Sequence, residues 1–341
     1  MNEDTLFAHY KAFPKVDLHR HLEGSISPET LVEVAKQYGG SLPTTDPDRL
    51  RKLMVMTYDI PGFHTFLDKF KIYRGFYSCR EAIEHIAYTA VKEAAEDNVK
   101  YLELRYSPSH FAALNRFSEK QVVQWIHCSL QQAAGDYDII VTPIATISRD
   151  YGFELAHATV ELITDLPPGF FYGLDLAGDE MSNAAAPFAP LFAHARAHGL
   201  PLTIHAGEAC GAENVREAVL AYQTSRIGHG VQAATDPEVM QLLHERNIML
   251  EICLTSNVHT GIVPSISKHP IRTLMAHGVP VCLNTDDPAI SDITLTGEYV
   301  AAVRELGFTD HELKVLNRSA LDHAFHPDKE ALKKQLLHYW E

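Results

Sequence analysis

Eight apolar, β-branched runs separated by segments of helical periodicity constrain this chain more than any other feature. They read KVDLHRHL from Lys15, VKYLELRYS from Val99, DIIVTPIATIS from Asp138 and FFYGLDLAG from Phe170. LPLTIHAGE from Leu200, RIGHG from Arg226, IMLEICLTSN from Ile248 and PVCLNTDD from Pro280 complete the set. Strands that alternate with helices pair in parallel, because parallel neighbours need a long crossover. Eight of them favour an α/β fold of the closed (β/α)8 TIM-barrel type over an open doubly wound sheet. No G-x-G-x-x-G follows the first run and no P-loop sequence occurs, so the nucleotide-binding fingerprints of open sheets are missing.

Local signals place the helices. Ser27-Pro28 opens one that Gly39-Gly40 ends, and Ser78-x-x-Glu81, Ser118-x-x-Gln121 and Thr309-x-x-Glu312 read as capping boxes. Residues from about 40 to 77 read as a helical insertion after the first strand. The 341 residues fit one barrel domain spanning 1–341, with no low-complexity linker to mark a second.

The charge balance, 29 Lys+Arg against 44 Asp+Glu, gives −15, which disfavours nucleic acid and anionic membranes as partners but not a small neutral molecule. The five cysteines are scattered, with no Cys-x-x-Cys, and fit reduced thiols in a cytoplasmic protein. The N-terminus lacks the basic and apolar regions of a secretory signal, and no run approaches a membrane span. A soluble enzyme is expected.

Within this frame the run VDLHRHLEG, Val16 to Gly24, stands out. Alternation along a strand puts Val16, Leu18 and Leu22 on one face, and Asp17, His19, His21 and Glu23 on the other. One His-x-His among 20 histidines is about what chance supplies, so the pair alone decides nothing. Placement is the stronger signal. Barrel enzymes carry their chemistry at the C-terminal ends of the strands. His19, His21, Gly178-Asp179-Glu180, His205, Glu208, His229, Ser256-Asn257 and Asp286-Asp287 all fall there. His19, His21, His205 and Asp286 form a candidate N/O ligand set for a divalent ion, with zinc favoured by the imidazoles. Such an ion makes hydroxide available near neutral pH. Glu208 is then the candidate proton donor, with His229 and Asp286 orienting the water. His64, His85, His127 and His244 read as solvated and carry no assigned role.

Taken together, HRHLEGS, CREAI…IAY, LRYSP, DLAGDE, HAGE, RIGHG, EICLTSN and LNTDDP resemble the adenosine deaminase family, in the family's order from about Pro14 to Pro288. The resemblance implies a barrel with one zinc ion at its mouth, held by His19, His21, His205 and Asp286. It implies that Glu208 protonates purine N1, that His229 orients and stabilises the attacking hydroxide, that Asp287 bonds N7, and that the Gly178 backbone N–H bonds N3. The Pro-Cys-x-x-Cys signature of another group of zinc deaminases is absent, so a different scaffold is expected.

The expected substrate is a purine nucleoside, adenosine and with it 2′-deoxyadenosine. Glu23 departs from the Asp that many adenosine deaminases carry against the ribose 5′-hydroxyl. It keeps adenine, aminodeoxyfutalosine or an N6-substituted purine nucleoside or nucleotide in view, although no basic cluster is evident for a phosphate. A silent purine-binding relative is disfavoured, because no ligand and no acid is missing. Phe63, Phe66, Phe70, Tyr73 and Tyr77 recur three or four apart as one helix face. Spacing alone reads as core packing; the resemblance matches Phe66, Leu67 and Phe70 to a hydrophobic lid over the nucleoside.

Overall fold

The computed structural model describes residues 2–112 and 117–341. Eight strands, all parallel and in sequence order, form one sheet: β1 Lys15–His21, β2 Val99–Tyr106, β3 Ile140–Ser148, β4 Leu174–Ala177, β5 Leu202–Ala206, β6 Arg226–His229, β7 Met249–Ile252 and β8 Val281–Leu283. The curved sheet closes where the chain just past β8 meets β1. Asp286 N donates to His19 O and His21 N to Asp286 O, each at 2.8 Å. That closure draws a metal-ligand candidate against the His-x-His strand through the backbone itself.

The apolar residues explain the layers. Val16 and Leu18 of β1, Leu102 and Leu104 of β2, Ile204 of β5 and Ile227 of β6 are buried, as are the inner faces of the flanking helices. The helix Arg80–Glu96, for instance, buries Ala82, Ile83, Ile86, Ala87, Ala90, Val91 and Ala94, the spacing of one helical face. Some buried interior is ionic. Glu103 and Arg105 of β2, Asp175 of β4, Arg226 of β6 and Glu251 of β7 are all fully buried. Because β2 and β7 are not sheet neighbours, the contact between Arg105 and Glu251 crosses the lumen.

Ser118 and Thr309 form complete capping boxes with Gln121 and Glu312, and Ser27 Oγ caps Pro28–Tyr38. Gly39 ends that last helix at φ +81°, a left-handed position that favours glycine. The expected box at Ser78 does not form. The helix starts at Arg80 with Cys79 as its cap, while Ser78 Oγ lies 2.9 Å from the Gly39 carbonyl oxygen, to which it donates. The Ser78 hydroxyl is turned toward the neighbouring helix end, and Cys79, which takes the cap position, makes no side-chain cap hydrogen bond.

The insertion contains the helices Pro47–Met54 and Phe63–Tyr73 and the single 3₁₀ turn Arg74–Phe76. Tyr77 lies past that turn, so the aromatic face ends at Tyr73. Further helices, Glu3–Ala12 before β1 and Leu295–Leu306, Asp310–His323 and Lys329–Leu336 after β8, pack around the barrel.

Candidate active site

Four chain segments meet at the barrel mouth. His19 and His21 come from β1, His205 from β5 and His229 from the end of β6, while Asp286 and Asp287 follow β8. His19 Nε2 lies 3.2 Å and His21 Nε2 3.4 Å from Asp286 Oδ1, and His21 Nε2 lies 3.2 Å from His205 Nε2. Ligands about 2.0–2.1 Å from a tetrahedral ion sit about 3.3–3.4 Å from one another, close to these separations. His19 Nε2 is buried without a hydrogen-bond partner, a cost that an ion at this point relieves. The residues present therefore fit a divalent metal. The structure also draws in a residue that the expected ligand set omitted: His19, His205, His229 and Asp286 each offer an atom within 4.8 Å of the others.

The outer nitrogens of two imidazoles are tied down. His19 Nδ1 lies 2.7 Å from Glu251 Oε2, and His205 Nδ1 lies 2.9 Å from Asp175 Oδ1. An ionised carboxylate only accepts, so each contact places the proton on Nδ1 and leaves Nε2 with its lone pair. Arg105 stands between the two carboxylates. Its Nη2 donates to Glu251 Oε2 at 2.8 Å and its Nη1 approaches Asp175 Oδ2 at 3.4 Å. His229 and Asp286 both adopt positive φ, +58° and +63°. Such backbone costs about 1–3 kcal/mol per non-glycine residue and clusters at functional sites.

Electrostatics then sort the remaining groups. Burial, followed by the carboxylates of Asp286 and Glu180, pushes Glu208 well above the usual carboxyl range. Burial, followed by Asp286, Glu23 and Glu208, does the same to Asp287. Both shifts favour the protonated carboxyl, the form that can donate a hydrogen bond. Burial depresses His229, which stays a neutral imidazole; its Nε2 is 3.7 Å from Glu208 Oε2, and Asn257 Nδ2 approaches its Nδ1 at 3.1 Å. Asp287 packs so tightly against Gly24 that a Cβ there would sit 1.9 Å from Asp287 Oδ1. Only glycine fits.

His21, His205, Glu208, His229, Asp286 and Asp287 line one cavity of about 360 Å³, which is room for a small ligand. Gly178 lines it too, at φ +100°. Glu23 stands at its edge, Oε1 accepting from Ser107 N at 2.6 Å, with burial raising its pKa to about 7. The helix Phe63–Tyr73 lines the cavity with Phe63, Phe66, Leu67 and Phe70. Tyr73 and Phe66 belong to the core, and Phe66 also lines the cavity.

Several residues escaped the sequence reading. His64, expected to be merely solvated, has an exposed ring, yet its Nε2 lies 3.0 Å from Asp179 Oδ2 and ties the helix Phe63–Tyr73 to the loop after β4. His85, His127 and His244 have partners as well, in Tyr38, the Phe170 ring and the Gly278 carbonyl. Arg74 and Lys71 line the cavity, so basic groups are present after all. Lys71 pairs with Asp68 at 2.5 Å and Arg74 donates to Tyr151 Oη, while Glu23, Asp150 and Asp179 keep the surroundings acidic. Apart from Lys71 and Asp68, three residues apart on one helix, these contacts join distant parts of the chain, so no local pattern marks them.

Comparison with known proteins follows from this geometry. A family model described as adenosine deaminase matches residues 14–339. The adenosine deaminase of Yersinia pseudotuberculosis serotype IB is 34% identical over 325 residues, spanning 95% of this chain and 97% of that protein. That of Aliivibrio fischeri is 36% identical over 321 residues, spanning 94% and 96%. Among solved structures, adenine deaminase from Arthrobacter aurescens superposes with a TM-score of 0.89 at 26% identity, covering 96% of this chain and 98% of that one.

Proposed function

The chain belongs to the adenosine deaminase family and is a hydrolase that deaminates purines, and on that premise we propose that it converts adenosine and 2′-deoxyadenosine to inosine and deoxyinosine, releasing ammonia. The observation that carries this reading is the meeting, in one cavity, of Glu208 and Asp287, two buried carboxyls pushed toward the protonated form, with an imidazole and carboxylate cluster. A purine ring needs donors at N1 and N7, and a protonated carboxyl is a donor where a carboxylate is not.

His19, His21, His205 and Asp286 hold one Zn²⁺ in this reading. When bound, the ion supplies the Lewis acidity that lets water act as a nucleophile near neutral pH. Glu208 gives its proton to N1, which draws electron density from C6 and opens that carbon to attack. His229, neutral and held by Asn257, hydrogen-bonds the incoming oxygen and fixes its line of approach. Asp287 donates to N7 and the Gly178 backbone N–H to N3, so the ring is fixed in its plane. Phe66, Leu67 and Phe70 exclude bulk water, which strengthens each of these interactions. The C6–N bond then breaks, the exocyclic nitrogen leaving as ammonia with one proton of the attacking water, while the other proton restores Glu208 and C6 is left as a carbonyl. The free thiols of all five cysteines and the absence, among the described residues, of a helix able to cross a membrane support a cytoplasmic setting.

Glu23 favours a second reading, in which the chemistry is unchanged and the substrate is adenine or an N6-substituted purine. Its carboxyl is held by Ser107 N and reaches the cavity edge where a ribose would lie. A phosphate fits poorly among Glu23, Asp150 and Asp179. The test is a substrate panel on zinc-loaded enzyme, with metal content measured on the same sample and loss of the adenine absorbance band as signal. Preference for adenosine in kcat/KM supports the first reading, and preference for adenine the second. Indifference to adenosine, adenine and modified adenosines alike sinks both.

A further inference from the structure

Glu180, in the loop after β4, is buried and accepts five hydrogen bonds. Oε1 takes the N–H of Gly207 at 2.7 Å and the Asn214 side-chain amide at 2.8 Å. Oε2 takes the N–H groups of Glu208, Ala209 and Cys210 at 3.1, 2.8 and 3.1 Å. Four consecutive backbone amides, residues 207 to 210, therefore converge on one carboxylate. Converging amides of this kind form an anion-binding concavity. Here the anion is delivered by a different loop of the same chain.

The captured segment joins β5 to the helix Ala212–Leu220 and carries Glu208. Gly207 turns it at φ +64°, where an added Cβ would sit 2.4 Å from Val215 Cγ2, so the turn is fixed from its other side as well. Arg149 braces both loops, with its Nη2 donating to the His205 carbonyl at 2.5 Å and its Nη1 to that of Asn183 at 3.1 Å. Glu180 does not line the cavity, so it acts on substrate only through the backbone it holds.

We propose that Glu180 is a positioning residue for deamination, fixing the backbone of residues 207 to 210 so that the Glu208 carboxyl stands within reach of purine N1. This rests on the proton-donor role assigned to Glu208 above. Misplacing a catalytic group by about 1 Å costs about 100-fold in rate.

The experiment compares zinc-loaded wild type, Glu180→Gln and Glu180→Ala on the substrate the panel selects. An amide of the same size keeps one acceptor and turns an NH2 against the backbone donors. Glu180→Gln should therefore lose about 100-fold in kcat, with KM and zinc content close to wild type. In Glu180→Ala, added acetate should restore part of the lost kcat by supplying a carboxylate to the vacated amides. Wild-type kcat in Glu180→Gln overturns the proposal. So does a loss of kcat matched by loss of zinc or a rise in KM and indifferent to acetate, because that pattern marks general collapse of the site. If Glu180→Ala does not fold, Glu180→Gln alone decides. A wild type inactive on every purine refutes the proton-donor reading instead, so the two failures are distinguishable.

Discussion

Replacing Glu251 with glutamine probes the ionic lumen and the metal centre together. Its Oε2 accepts from His19 Nδ1 at 2.7 Å and Arg105 Nη2 at 2.8 Å, and its Oε1 from Thr203 Oγ1 at 2.9 Å and Arg226 Nε at 2.6 Å. Burial alone would push this carboxyl up, yet Arg105 and Arg226 hold it well below the usual range. An amide can accept at only one of its two ends. In Glu251→Gln its NH2 faces either His19 and Arg105 or Thr203 and Arg226, and two fully buried guanidiniums lose half of their counter-charge. Breaking a buried pair costs about 3–5 kcal/mol. Unfolding entropy of about 2.1 cal/mol/K per residue comes to about 0.7 kcal/mol/K for this chain, so Tm should fall by about 6 °C. Freed from Glu251, the His19 imidazole no longer has a fixed tautomer, and zinc affinity should drop about 10- to 100-fold. Stability is to be read on chelated protein, by urea midpoint at constant m and by Tm, so that bound metal does not contribute. Affinity is to be read separately, by competition with a chelator of known strength. A variant within about 1 kcal/mol of wild type and unchanged in zinc affinity would refute the reasoning, since neither the buried charge balance nor the imidazole tether would then matter.

Three further outcomes are expected. Glu208→Gln should lower kcat at least about 100-fold while retaining zinc, as measured by steady-state kinetics and metal analysis; unchanged turnover would remove Glu208 as the donor. His64→Ala should raise KM severalfold with a smaller effect on kcat, because it unties the lid from Asp179; an unaltered KM would show that the lid needs no tether. Glu298, buried and raised to about 7, keeps a proton that the unfolded chain has already lost above about 4.5. Its contribution to stability is therefore complete at low pH and declines as pH rises from about 4.5 to about 7, by at most about 1.4 kcal/mol per pH unit. Glu298→Gln should remove that decline, measured as urea midpoint against pH.

Much of the fold was legible in the chain because it follows from local rules. Eight runs of apolar, β-branched residues alternating with helical periodicity specify eight parallel strands, and Ser118, Thr309 and Ser27 mark helix starts by their own hydroxyls. Ser78 carries the same pattern and does not cap: its hydroxyl bonds the Gly39 carbonyl, and the helix starts one residue later, after Cys79. The aromatic stripe is readable as one face, but its division into core and cavity wall depends on what packs opposite it.

For the site, the sequence by itself determined which residue types stand at the strand ends, since a strand's direction and alternation settle where its last side chains go. Only the tertiary structure decided what those residues do to one another. His19 meets Glu251 across 232 positions of chain and Asp286 closes the barrel against β1, contacts that no spacing along the chain encodes. The same holds for charge state: burial and neighbouring carboxylates push Glu208 and Asp287 toward their protonated forms, and burial disfavours the charged form of His229. Glu180 looks like one more acidic loop residue until folding brings four backbone amides onto it. Local sequence sets where a side chain starts, and the dielectric and partners it ends among are properties of the closed barrel.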